Sequence, residues 1–100
     1  MAKTGTSARR ALAVLRILKG HTLHGLSNGE IAKALDEKPV NITRALDVLT
    51  DEGLVNKLET GRYAHSIGML QIAQAHANEM NQAQYKIQEI NNRVAAGAMN

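Results

Sequence analysis

The chain has 100 residues with a formal charge of +3, no cysteine, no tryptophan, no phenylalanine, and only Tyr63 and Tyr85 as aromatics. That length allows one domain, or a domain with an appendage, built on a modest aliphatic core. It excludes a disulfide framework and a cysteine zinc finger, and argues against modules that stack single-stranded bases on exposed rings.

The charge is unevenly placed. Residues 1–20 carry five bases and no acid, residues 21–65 five bases and seven acids, and residues 66–100 two of each. A basic front end suits a polyanionic partner; a solvated tail accounts for it equally well. Residues 1–6, with Lys3, are small and polar and read as a disordered basic arm. Ser7 is placed to cap a helix running to about Lys19, with Leu12, Val14, Leu15 and Leu18 on one side and Gly20 as its stop. Its apolar run is interrupted by Arg16 and too short to span a membrane, and no signal-peptide pattern is read before it. Residues 21–26 form a connector in which Leu23 or Leu26 enters a very short strand.

Ser27 and Glu30 make a capping box for a second helix to about Leu35, with Ile31, Ala34 and Leu35 facing inward. Asp36, Glu37 and Lys38 form a tight turn, and Pro39 suits the first turn of a third helix, where its missing N–H is not needed. Ile42, Ala45, Leu46 and Leu49 give that helix a buried stripe to about Glu52. Gly53 ends it in a left-handed cap, with Leu54 packing back on Leu49. Val55–Leu58 and Arg62–His65 read as two short strands of a hairpin around Glu59–Thr60–Gly61.

Ser66 is placed to cap a fourth helix to about Ala96, roughly 29 residues and about 43 Å long. That is too long to pack wholly on so small a domain. Met69, Ala73, His76, Met80, Ala83, Ile87, Ile90 and Val94 recur in steps of four and three, a weak heptad stripe. Met80, Ala83, Ile87, Ile90 and Val94 are read as a dimerisation seam with a frayed C-terminus; a half-frayed tail without a partner is the alternative. The expected fold is therefore mainly α: a winged helix-turn-helix over residues 7–66, with a short β-hairpin wing, and a long helix over residues 67–100.

The segments RALAVLRIL, LSNGEIAKAL and RALDVLTDEGLV, with Tyr63 and then IGMLQIA, carry a resemblance. Over about residues 8–75 the chain resembles the winged helix-turn-helix of IclR-type regulators, and VNITRALDVLTDEGLV also looks like MarR-type recognition helices. IclR-type proteins carry a large effector-binding domain after this module. Its absence here implies a stand-alone reader, with no small-molecule effector evident.

A recognition helix meets bases with its N-terminal, outward residues. With Ile42 inward, the outer face holds Val40 and Arg44, flanked by Asn41 and Thr43. Arg44 suits guanine, Asn41 adenine, Val40 a thymine methyl, Thr43 base or phosphate, and Lys38 phosphate. Each has a plainer reading: Arg44 paired with Asp47, Asn41 solvated at the helix start. Lys57 and Arg62 flank the wing tip and are placed for phosphate or the minor groove, as are Arg9 and Arg10 for backbone; Asn28 sits at a helix start that suits phosphate. His21 and His24 lack a third ligand nearby, and the serines are caps, so no metal, cofactor or catalytic centre is expected.

The function expected is a sequence-specific double-stranded DNA-binding transcriptional regulator, a cytoplasmic repressor acting as a homodimer in a bacterial or phage-infected host nucleoid, with no membrane partner. The rivals are a low-specificity architectural or replication-related DNA binder and a winged-helix protein-interaction adaptor.

Overall fold

The computed structural model describes residues 5–99. Its elements are α1 (Thr6–Ile17), α2 (Asn28–Leu35), α3 (Pro39–Asp51), β1 (Val55–Lys57), β2 (Tyr63–His65) and α4 (Ile67–Ala98). The described residues fall into two compact units, divided between Leu70 and Gln71.

In the first unit, Ala11, Val14, Leu15 and Leu18 supply the inward stripe from α1 and its exit, with Val14 and Leu18 fully buried. Leu12, expected on that side, is more than half exposed. It lies one residue beyond the i, i+3, i+4, i+7 series that faces the core. The helix also starts earlier than expected: Gly5 precedes its first residue, so Ser7 lies inside the first turn and is not the cap. It stops at Ile17, and Leu18–Gly20 turn with the His21 amide donating to the Leu18 carbonyl at 3.0 Å.

The capping box of α2 forms as expected. Glu30 N donates to Ser27 Oγ at 3.1 Å, and Ser27 N donates to Glu30 Oε1 at 3.0 Å. Ile31 and Ala32 are buried, whereas Ala34, expected inward, is exposed. Asp36 ends α2 at φ 51, a left-handed position that its short polar side chain tolerates. Pro39 opens α3, and Ile42, Ala45, Leu46 and Leu49 fill the core stripe. Gly53, at φ 76, reverses the chain, and Leu54 N reaches the Leu49 carbonyl at 2.9 Å, which returns Leu54 to the core.

β1 and β2 pair antiparallel, with Val55 opposite His65, Asn56 opposite Ala64, and Lys57 opposite Tyr63. The pairing reaches one step further, where Leu58 N donates to the Arg62 carbonyl at 2.7 Å. Of the two connector leucines, Leu26 joins the sheet edge: it exchanges backbone hydrogen bonds with Tyr63 at 2.9 and 2.8 Å. Leu23 is exposed. Gly25, at φ 66, makes this approach possible, because a Cβ there would collide with the Tyr63 carbonyl. Ser66 caps α4: its hydroxyl donates to the Gly53 carbonyl and accepts Met69 N at 3.0 Å.

The second unit is the helical segment from Gln71 onward. No residue of α4 is buried. Its polar side is laced by i, i+4 pairs, Gln74–Asn78 at 2.9 Å and Gln88–Asn92 at 2.8 Å, and by Glu89 between Lys86 and Arg93. Met80, Ala83, Ile87, Ile90 and Val94 are all exposed. Among the described residues, no helix is long and apolar enough to cross a membrane.

Candidate nucleic-acid interface

With Ile42, Ala45, Leu46 and Leu49 pointing into the core, helical periodicity leaves Val40, Thr43, Arg44, Asp47, Val48 and Asp51 outward on α3. Lys38 is exposed at the N-cap, directly before Pro39. Arg44 makes no ion pair among the described residues, so the rival pairing with Asp47 is not formed. Its fork of five N–H donors projects from the second turn of the helix, beside the half-exposed methyl groups of Val40. The two acids, Asp47 and Asp51, lie further along, where phosphate would be repelled.

Around α2 and α3, Asn28, Thr43, Arg10 and Asn41, all expected to touch DNA, are already engaged within the protein. Asn28, the first residue of α2, donates from Nδ2 to Thr43 Oγ1 at 2.7 Å, and that hydroxyl donates to the Pro39 carbonyl at 3.1 Å. The chain ties the start of α2 to the first turn of α3 and fixes the Thr43 rotamer. Arg10 and Asn41 meet at one acid, Glu37 in the turn between α2 and α3. Asn41 Nδ2 donates to Glu37 Oε1 at 2.9 Å, Lys38 N donates to the same oxygen at 3.2 Å, and Arg10 Nε lies 3.0 Å from Oε2. The Asn41 hydrogen bond, then Arg10, then the Lys38 amide hold the Glu37 carboxyl down at about 2. The turn is thereby joined both to α1 and to the start of α3.

In the wing, Lys57 is exposed, with Nζ 6.0 Å from the centre of the Tyr63 ring, the outer limit of a cation–π contact. Arg62 turns back from the tip. Its Nε donates to the His24 carbonyl at 2.9 Å, its Nη2 to the Gly25 carbonyl at 3.0 Å, and its Nη1 lies 2.6 Å from Glu30 Oε1. Glu30 is held below the usual carboxylate range, first by the Ser27 amide and hydroxyl and then by Arg62. Arg9 is exposed in the first turn of α1, while Lys3 lies outside the described residues.

Glu37 and the tertiary duty of Glu30 escaped the sequence reading. Only the spacing of four between Glu37 and Asn41 hinted at a shared face; nothing local pairs residue 10 with residue 37, or residue 30 with residue 62. Among the described residues, no group of three or more His, Asp or Glu side chains could hold a metal ion.

Residues 7–59 match the family model described as the IclR helix-turn-helix domain. No curated protein matches the chain. Among solved structures, a mutant MepR from a multidrug-resistant clinical isolate of S. aureus is 20% identical at a TM-score of 0.57, covering 99% of this chain and 82% of that one. A mutant of Lactococcus lactis ZitR is 17% identical at a TM-score of 0.47, covering 93% of this chain; the present chain spans 65% of its length. The likeness to MepR shows the winged helix-turn-helix fold.

Proposed function

Because the chain belongs to the IclR helix-turn-helix family, a family of DNA-binding domains, we propose that it is a sequence-specific regulator of transcription that binds double-stranded DNA as a homodimer and represses by occupancy. The carrying observation is the outward face of α3. Arg44 stands there without an ion pair among the described residues, next to Val40 and Thr43, with Lys38 at the helix entry. In a helix-turn-helix this is the end of the second helix that enters the major groove. Arg44 is assigned a bidentate contact to guanine and Val40 a thymine methyl. Lys38, Lys57 and Arg9 are assigned to phosphate. Asn28, Asn41, Thr43 and Arg10 are assigned to the same surface; the hydrogen bonds of the first three and the ion pair of Arg10 with Glu37 favour recognition by a preformed surface.

The homodimer is assigned to the stripe Met80, Ala83, Ile87, Ile90 and Val94, five exposed apolar residues in heptad spacing. Two protomers related by a two-fold would read a pseudo-palindrome with half-sites about one helical turn, or a multiple of it, apart. The test is selection from a random duplex pool at near-physiological salt, with the bound DNA sequenced. An enriched inverted repeat is expected. Binding without enrichment would replace this reading with that of an architectural binder, and no binding at low salt with that of an adaptor.

A further inference from the structure

We infer that Arg62 is the strut of the wing and Glu30 its positioning partner, so that the wing is held at a fixed distance from the start of α2, and Lys57 is left as the wing's cation for DNA. The inference rests on the DNA-binding reading above, and it reverses the role that residue type alone suggests for Arg62.

Three contacts carry it. Every nitrogen of the Arg62 guanidinium faces protein: Nε on the His24 carbonyl at 2.9 Å, Nη2 on the Gly25 carbonyl at 3.0 Å, and Nη1 on Glu30 Oε1 at 2.6 Å. Three of its five N–H donors are therefore taken. The side chain leaves one end of the hairpin and closes on the connector that precedes α2. Beside it, Leu26 and Tyr63 exchange two backbone hydrogen bonds, and Gly25 supplies the close approach that this needs. Glu30 meanwhile caps α2 through Ser27 N at 3.0 Å. One carboxylate thus joins the first turn of α2 to the wing, and α2 in turn holds α3 through Asn28 and Thr43. Lys57 is the other base of the hairpin, and it is exposed.

A phosphate contact needs only a positive charge at the tip. The strut needs a planar fork that reaches two carbonyls and a carboxylate at once, which lysine does not provide. The substitutions Arg62→Lys, Arg62→Gln, Glu30→Gln and Lys57→Gln separate the two roles. Glutamine at position 30 preserves the capping box while removing the charge. Affinity of the full chain for a labelled mixed-sequence duplex is measured from about 50 to about 200 mM salt. The strut predicts that Arg62→Lys and Arg62→Gln each weaken binding about three- to tenfold, and that Arg62→Gln combined with Glu30→Gln is no worse than the single change. It also predicts that the salt slope changes by about one for Lys57→Gln and stays unchanged for both Arg62 variants.

If Arg62→Lys binds as the unsubstituted chain does, while Arg62→Gln flattens the slope by about one, Arg62 is a phosphate contact and the strut is refuted. Amide exchange of Leu26, Leu58 and Tyr63 gives a readout without DNA. It should accelerate in Arg62→Gln and Glu30→Gln, and protection equal to that of the unsubstituted chain would overturn the strut. Failure of the unsubstituted chain to bind any duplex would instead count against the DNA-binding reading, with the exchange result still deciding whether the strut exists.

Discussion

Replacing Ser66 by alanine removes two hydrogen bonds at once. The hydroxyl both accepts Met69 N at 3.0 Å, as the cap of α4, and donates to the Gly53 carbonyl at the end of α3. The residue is only 5% exposed, so water cannot readily take over either bond. Loss of the cap costs about 1 kcal/mol. Leaving the Gly53 carbonyl without its donor adds about 1–2 kcal/mol. The sum, about 2–3 kcal/mol, is a large part of the roughly 5–15 kcal/mol that holds a small domain together. Ser27→Ala is the internal control. It removes a cap of the same kind at a half-buried site where water reaches the freed amide, for about 1 kcal/mol. In urea unfolding monitored by circular dichroism, the midpoint should fall by about 2–3 M for Ser66→Ala and about 1 M for Ser27→Ala, taking an m-value near 1 kcal/mol/M for a domain of this size. Equal midpoints for the two variants would refute the argument that the second hydrogen bond of Ser66 joins α3 to α4.

Glu37 gives the pH dependence its sign. Its carboxyl is held at about 2, below the ordinary value of 4.5, so its stabilisation is fully present above 4.5 and is lost as the pH falls towards 2. Melting temperature followed across that range should fall more steeply for the unsubstituted chain than for Glu37→Gln, and parallel curves would contradict the Asn41–Glu37–Arg10 contact. At the proposed DNA surface, Arg44→Ala should cost about 1–3 kcal/mol and relax preference at one base position. Lys38→Ala should instead weaken all sequences alike and reduce the salt slope by about one, both read by fluorescence anisotropy. Sedimentation should show Ile87→Asp as a monomer and the unsubstituted chain as a dimer; a monomer in both cases would end the pairing assigned to α4.

The parts of this protein written in its sequence are those decided within a turn or two of backbone. The Ser27–Glu30 capping box, Pro39 at the start of α3, the Ile42–Ala45–Leu46–Leu49 stripe and the Gly53 reversal all depend on residues near one another in the chain, and each could be read by spacing. Even there, the errors have local causes: Leu12 and Ala34 are apolar enough to mimic core positions, yet each sits about a third of a turn away from the buried stripe. What tertiary structure alone decided is which polar side chains meet. Arg10 finds Glu37, Arg62 finds Glu30, and Leu26 pairs with Tyr63, because the helices cross and the hairpin folds back in one particular way. A charged residue on an outward face looks the same in sequence whether it awaits DNA or braces its neighbour. The distinction rests on distances between residues far apart in the chain, and those exist only once the core has packed.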